Sequence, residues 1–124
     1  MKKIETIEDI KLLVDTFYSA VRKDDLIGPI FNETVKDRWP VHLEKMYRFW
    51  QSILLNEPSY SGRPFPPHIK LDINTRHFER WVTLFESVVS DHFEGEKAQI
   101  AIDRAKLMGK LFEAKHAHIR NENS

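Results

Sequence analysis

The segment YSGRPFPPHIKL, residues 60–71, interrupts a chain of 124 residues whose sequence pattern is otherwise helical. It contains three of the six prolines and one of the four glycines, and it includes His68. Pro66 and Pro67 each fix a φ angle, and a proline also favours an extended conformation at the residue before it. His68 therefore follows a stiff loop. Such restraint suits a metal ligand, although any corner of the chain requires it too.

The composition is that of an ordinary soluble globular domain. Hydrophobic residues make up 41% of the chain and charged residues 31%, and the 19 basic residues balance the 19 acidic ones. We therefore expect no nucleic-acid partner. The absence of cysteine excludes disulfides, thiolate nucleophiles and iron–sulfur clusters. A chain of 124 residues predicts one domain, over residues 1–124. No apolar run has the length of a signal sequence or a membrane span, so we expect a cytoplasmic location and no membrane partner.

Two amphipathic helices are predicted before this segment. Thr6 and Asp9 resemble a capping box at the start of the first helix. Trp39 and Pro40 open the second, since proline is tolerated in a first turn. Residues 32–37 between them read as a polar loop. The apolar stripe of the first helix is Ile10, Leu13, Val14, Phe17, Tyr18 and Val21, and that of the second is His42, Met46, Phe49, Trp50 and Ile53.

Two further long helices are predicted after residue 71. Asn74 or Thr75 caps the third helix, and the fourth begins near Glu96 after a break at residues 91–95. The third helix has the stripe Phe78, Trp81, Val82, Phe85, Val88 and Val89. Small alanines in the fourth helix allow another helix to approach closely. From about residue 116 the chain is polar, so we expect a frayed end with solvated His116 and His118.

Most catalytic constellations are absent from the sequence. No serine lies in a recognisable nucleophile turn, and no glycine-rich phosphate loop occurs. A di-iron site needs two Glu-x-x-His pairs, and only the pair Glu113 and His116 is present. A zinc site needs His42, His68 and His77 to cluster through the fold. One arrangement fits the residues better, namely a flat apolar cofactor between the second helix and the His68 loop.

The residue types available for such a site are those typical of a haem pocket. His68 is the candidate axial ligand. The candidate lining residues are Phe31, Met46, Phe49, Trp50 and Phe78, and the candidate donors on the opposite face are Tyr18, His42 and Trp81. Each donor also has a structural alternative. For Tyr18 the alternative is a hydrogen bond to a backbone carbonyl or a water, and for Trp81 it is one to a carbonyl. For His42 the alternative is a satisfied position in the core or at its boundary.

An ordered set of short motifs resembles the truncated haemoglobin family, and most closely its group III. The motifs run through residues 10–108, which is most of the chain. They are FY at 17–18, GPIF at 28–31, WxxHL at 39–43, FW at 49–50, YxGxP at 60–64, HxxL at 68–71 and HFERW at 77–81. The glycine pairs usual in groups I and II are absent, which favours group III. The resemblance implies an all-α, globin-like fold, a two-over-two α-helical sandwich.

The resemblance also implies roles for individual residues. His68, thirteen residues before Trp81, matches the axial ligand of haem b (iron protoporphyrin IX), with His77 as a weaker competitor. Tyr18, His42 and Trp81 match the distal residues that stabilise a bound ligand. The remaining haem contacts implied are Phe31, Met46, Phe49, Trp50 and Phe78, with Lys45, Arg76 and His77 as propionate partners.

A bound dioxygen carries partial negative charge, so two donors slow its release by one to two orders of magnitude at about 1 kcal/mol or more each. The sequence thus predicts tight binding of dioxygen, nitric oxide or another diatomic ligand, with slow release unsuited to bulk transport. Two activities remain open, nitric oxide dioxygenation and peroxidase-like oxidation. A partner reductase would supply the electrons. The alternative is a haem-free helical interaction module with structural histidines.

Overall fold

The computed structural model describes residues 1–57 and 73–122, with side chains to residue 118. Within these ranges the chain forms five α-helices and two very short strands. The helices are α1 (Ile7–Lys23), α2 (Gly28–Val35), α3 (Trp39–Leu54), α4 (Thr75–His92) and α5 (Glu96–Glu122), and the strands are β1 (Lys2–Lys3) and β2 (Phe93–Glu94). The all-α class expected from the sequence is confirmed.

The start of α1 is the capping box that the sequence predicts. Thr6 Oγ1 accepts a hydrogen bond from the Asp9 amide at 3.4 Å, and Asp9 Oδ2 accepts one from the Thr6 amide at 3.1 Å. The Glu5 amide also donates to Asp9 Oδ2 at 2.9 Å, and Lys2 Nζ lies 2.9 Å from Oδ1. These two contacts, the Glu5 amide first, lower the pKa of Asp9 to about 2. The carboxylate is therefore ionised throughout the neutral range.

The four long helices form two layers. In one layer α1 packs beside α3, and in the other α4 packs beside α5. Across the layers α1 contacts α4 and α3 contacts α5, which is the two-over-two sandwich that the resemblance implied. The largest fully buried side chains in the core are Phe17, Phe85, Ile4, Ile10, Leu13 and Ile27.

Small residues bring α4 and α5 close together, as the alanines of the sequence predict. Ala98, Ala101 and Ala105 are buried on the inner face of α5. Farther along the same helix, a Cβ atom added to Gly109 would lie only 2.6 Å from Val82 Cγ2 of α4. The helices therefore pack at a distance that leaves no room for a methyl group at Gly109.

Helix α2 corrects the expectation of a polar loop at residues 32–37. Pro29 lies in its first turn, where a missing N–H costs nothing. Ahead of it, Asp24 Oδ2 accepts hydrogen bonds from the amides of Leu26 and Ile27 at 2.9 and 3.0 Å. Asp24 Oδ1 accepts from Arg80 Nη1 of α4 at 2.7 Å. This tertiary contact is invisible in a local sequence pattern, so composition alone favoured a loop.

A two-residue parallel pairing joins the beginning of the chain to the turn between α4 and α5. Lys2 pairs with Phe93, and Lys3 pairs with Glu94. Gly95 follows with a φ of +96°, a left-handed conformation that glycine adopts without strain. Because each strand has only two residues, the sequence contains no alternating pattern that would predict the pairing.

The expected solvated tail differs from the structure at His116. Helix α5 continues to Glu122, and His116 is 4% exposed, so the prediction of a solvated side chain is wrong for this residue. Its imidazole lies edge-on to Phe78 of α4, with 6.0 Å between ring centroids. The helical continuation places position 116 on the buried face of α5. His118 is exposed, as expected.

No helix in the described part of the chain is both long and apolar enough to cross a bilayer.

Candidate functional site

Tyr18 lies at the centre of an aromatic cluster built by α1, α2 and α3. It is 5% exposed, and the rings of four residues surround its own. The centroid distances from Tyr18 are 4.9 Å to Phe17, 5.0 Å to His42, 5.8 Å to Trp39 and 6.3 Å to Phe31. The structure thus brings together Tyr18, His42 and Phe31, three of the residues singled out in the sequence.

The Tyr18 hydroxyl is a hydrogen-bond donor at neutral pH. Burial raises the pKa of its hydroxyl far above the ordinary value of 10.0, and no charge or hydrogen bond from the described residues contributes to the shift. The hydroxyl is therefore protonated at any physiological pH. A protonated phenol inside an apolar cluster stabilises an acceptor that enters beside it.

His42 points into the cluster rather than toward solvent. It lies in the first turn of α3, and its amide donates to the Arg38 carbonyl at 3.0 Å. The imidazole meets the Tyr18 ring at an interplanar angle of 85°, and its Nε2 atom is buried. The rings of His42 and Tyr18 are therefore packed against each other inside the cluster.

Trp81 reaches the cluster through one intervening ring. Its centroid lies 5.6 Å from Phe17, which itself contacts Tyr18 at 4.9 Å. Trp81 also stacks on Phe85 of the same helix at 6.0 Å. Since the indole is half-buried, its orientation is fixed by core rings on one side while another side remains accessible.

The other predicted lining residues line the core beside this cluster. Trp50 is 3% exposed and stacks on Phe85 at 4.9 Å. Phe49 contacts Trp50 at 5.3 Å, and Met46 is partly buried against the same core. Phe78, 9% exposed, lies one turn before Trp81 on α4. These side chains form an apolar region beside the Tyr18 cluster. Their contact with a flat cofactor stays a prediction.

The three predicted propionate partners occupy helix surfaces. Lys45 on α3 and Arg76 on α4 are exposed, so their cationic heads reach solvent. His77 is half-buried and belongs to a capping box at the start of α4. Its Nδ1 accepts a hydrogen bond from the Asn74 amide at 2.9 Å.

The capping bond of His77 determines which of its nitrogens carries the proton. A nitrogen that accepts from an N–H group is unprotonated, so in the neutral ring the proton resides on Nε2. An imidazole that binds a metal through Nε2 instead carries its proton on Nδ1 and donates it outward. The capping bond and metal ligation through Nε2 are therefore incompatible, whereas Nε2–H is suited to donate to a carboxylate.

His68 and the whole segment 60–71 lie outside the described residues, so the axial assignment stays a prediction. Among residues 1–57 and 73–122, no group of three or more His, Asp or Glu side chains is arranged to hold a metal ion.

Sequence reasoning overlooked Trp39 and Arg22. Trp39 is 6% exposed and contacts Tyr18 and His42, with centroids 5.8 and 5.7 Å away. The Arg22 guanidinium carbon lies 4.6 Å from the centroid of the Trp39 ring. The spacing Trp39-x-x-His42 already places the two rings on one helix face, and Tyr18-x-x-x-Arg22 does so on α1. The cation–ring contact between helices had no local signal.

Comparison with known proteins identifies the class that this fold and cluster define. The chain belongs to the bacterial-like globin family, whose model matches residues 2–115. Membership implies a haem-binding globin with a diatomic gas as its ligand.

A group III relative is similar along nearly the whole chain. The group 3 truncated hemoglobin ctb of Campylobacter jejuni subsp. jejuni is 35% identical over 117 residues, which cover 90% of this chain and 92% of the relative. The crystal structure of group III truncated hemoglobin from Campylobacter jejuni matches with a TM-score of 0.83 and 32% sequence identity, covering 93% of this chain and 94% of that one. The resemblance drawn from the motifs is therefore confirmed.

Proposed function

We propose that this chain binds haem b through His68 and uses Tyr18, His42 and Trp81 to hold dioxygen or a related diatomic ligand tightly. The observation that carries the proposal is the cluster of Tyr18 and His42, 5.0 Å apart between ring centroids in a globin-family chain. Haem supplies the iron at which a diatomic gas is held. The chain supplies the donors, the apolar lining and the axial imidazole.

The residues present fit this group. Tyr18 is protonated and buried, His42 Nε2 is buried beside it, and Phe31 contacts Tyr18 at 6.3 Å between centroids. An apolar wall with few polar groups is the usual lining for a flat hydrophobic cofactor. Lys45 and Arg76, exposed on α3 and α4, are suited to pair with propionates.

Slow ligand release follows from the number of donors. A hydrogen bond contributes about 1 kcal/mol net, and more when its acceptor carries charge. With 1.4 kcal/mol equal to tenfold, two donors slow release by about one to two orders of magnitude. We therefore propose chemistry on a retained ligand, such as nitric oxide dioxygenation or peroxide-linked oxidation with a separate reductase, rather than bulk transport of oxygen.

The axial ligand is tested by comparing two histidine variants. Titration of the purified chain with hemin is expected to give a Soret band at a one-to-one ratio. His68→Ala should lose the normal band or shift it strongly. His77→Gln is the matched control because it removes an imidazole but keeps an acceptor at the third position of α4, where glutamine is favoured.

The outcomes distinguish a haem-binding globin from a haem-free interaction module, and His68 from His77 as the axial ligand. A wild-type chain with no Soret band contradicts haem binding and leaves the helical interaction module. A normal band in His68→Ala, together with a lost band in His77→Gln, moves the axial role to His77. Oxygen dissociation, nitric oxide dioxygenation and peroxidase turnover measured on one haem-loaded preparation then decide between ligand storage and catalysis.

A further inference from the structure

The Trp39 ring connects the two proposed donors of the cluster. It lies 5.8 Å from the Tyr18 ring and 5.7 Å from the His42 ring, with interplanar angles of 60° and 85°. Since Tyr18 and His42 also contact each other, the three rings are mutually in contact. None of the three is able to tilt substantially without moving at least one of the others.

Arg22 holds the indole from the side of α1. Its guanidinium carbon lies 4.6 Å from the centroid of the Trp39 ring, a favourable cation–π distance. Arg22 itself is exposed, whereas Trp39 is 6% exposed. The Arg22 carbonyl also accepts a hydrogen bond from Asn32 Nδ2 of α2 at 3.2 Å. Arg22 is therefore an exposed residue whose guanidinium contacts a buried ring of the cluster.

We propose that Trp39 is a positioning residue, which fixes the placement of the Tyr18 hydroxyl and the His42 imidazole, and that Arg22 holds Trp39 in this position. This inference rests on the proposed function, because the two donors have a shared target only when a ligand is bound beside them. Trp39 acts through these two donors and not by contacting the ligand. Its effect is transmitted through the orientations of Tyr18 and His42.

The first test is the infrared spectrum of the haem-loaded, ferrous chain with carbon monoxide as the probe. Nearby donors lower the C–O stretching frequency, so its value and width report how the donors are placed. Trp39→Leu should broaden or split the band and move intensity to higher frequency, while Trp39→Phe should largely restore a single band. Oxygen dissociation should accelerate about two- to tenfold in Trp39→Leu, the range expected for loss of aromatic contacts.

The second test acts from the surface and avoids a cavity in the core. Arg22→Gln should broaden the C–O band in the same direction as Trp39→Leu, and Arg22→Lys should partly restore it because the cation is kept. Arg104→Gln, which changes an exposed arginine on α5, is the matched control and should leave the band unchanged. The proton NMR shifts of His42 in the carbon monoxide form report the ring currents around it. They should change in Arg22→Gln and keep their wild-type values in Arg104→Gln.

Failure of this inference is distinguishable from failure of the proposed function. If the wild-type chain forms no Soret band, the proposed function falls and this inference falls with it. If Tyr18→Phe shifts the C–O band but Trp39→Leu and Arg22→Gln leave it at the wild-type position and width, the donors stand and the positioning role of Trp39 is overturned. A band that moves equally in Arg22→Gln and Arg104→Gln overturns the role of Arg22.

Discussion

The hydroxyl of Tyr18 is the group whose removal should change the rate of ligand release most directly. The pKa of this hydroxyl is ordinarily well above neutral pH and burial raises it further, so at neutral pH it acts as a donor. Tyr18→Phe removes only this oxygen and retains the ring contacts with Phe17 and His42. We expect oxygen dissociation to accelerate about fivefold for a hydrogen bond of about 1 kcal/mol, measured by stopped-flow spectroscopy.

Tyr47 provides the matched control for that measurement. Its hydroxyl donates to Asp15 on the outer side of α1 and α3, and partial burial and this carboxylate raise its pKa to about 12. Tyr47→Phe should leave oxygen dissociation unchanged. Equal rates in Tyr18→Phe and the wild type would remove Tyr18 from the donor set.

Asp9 should make folding stability depend on pH in the acidic range. Its pKa is lowered from 3.8 to about 2 in the folded chain, so its contribution is fully present above about pH 4 and is lost as the pH falls through about 2. The shift corresponds to roughly 2 kcal/mol. Asp9→Asn should lower the urea midpoint at pH 7 and flatten its dependence on pH between 2 and 5.

Asp91→Asn, at an exposed position of α4, is the control for Asp9. It should retain the wild-type slope of the urea midpoint against pH. A wild-type slope in Asp9→Asn would assign the acid sensitivity to other carboxylates.

Single positions were predictable where a short-range rule governs them. The capping box of Thr6 and Asp9 depends on residues three apart, so the sequence alone indicated it. The burial of His116 depends on α4 supplying Phe78 across the helix pair, and no window around residue 116 contains that information. The inward direction of His42 likewise required the position of Tyr18.

The contact between α4 and α5 should reject even one added methyl group. In most helix interiors, Gly→Ala stabilises by up to about 1 kcal/mol. At Gly109 the new Cβ would lie 2.6 Å from Val82 Cγ2, and a β-branched side chain has little freedom to move away. We expect Gly109→Ala to lower the free energy of unfolding by about 1–3 kcal/mol in urea denaturation.

A compensating substitution checks the cause of that loss. Val82→Ala removes the clashing atom, so Gly109→Ala combined with Val82→Ala should be less destabilised than the sum of the single variants. Additive effects in this double-mutant cycle would contradict a direct clash between the two positions.

Helices were predictable as elements when their apolar periodicity was long. α1, α3, α4 and α5 each have three or more turns of striping, and the structure has them where the pattern predicted. α2 has only eight residues and, among the described residues, no side-chain cap at its start, and the residues ahead of it are held by the contact of Asp24 with Arg80 of α4. Its order therefore comes from packing between distant residues, which a local composition rule does not include.

Haem binding should raise the thermal stability of the whole molecule. A ligand at 100 times its Kd that binds only the folded state stabilises that state by about 2.7 kcal/mol. For a domain of this size the shift corresponds to an increase of about 10 °C in Tm. Circular dichroism melts without hemin and with free hemin at about 100 times its Kd measure this, and an unchanged Tm favours the haem-free interaction module.

The order of the motifs carried more information about the whole molecule than any one of them. FY, GPIF, WxxHL and HFERW occur in sequence, and in the structure their aromatic residues converge on one cluster and the adjoining core. The two-over-two packing followed from the family resemblance, since periodicity alone gives helices without their neighbours. The pairing of β1 with β2 is too short to produce any pattern.

That pairing also has a consequence for the order of events during synthesis. Lys2 and its partner Phe93 are about ninety residues apart, and translation adds roughly 5–20 residues per second. Lys2 is therefore added to the chain at least about 4 seconds before Phe93. Although α1 and its capping box form from residues made early, β1 pairs only after α4 and the turn that follows it have been made, so this contact closes late.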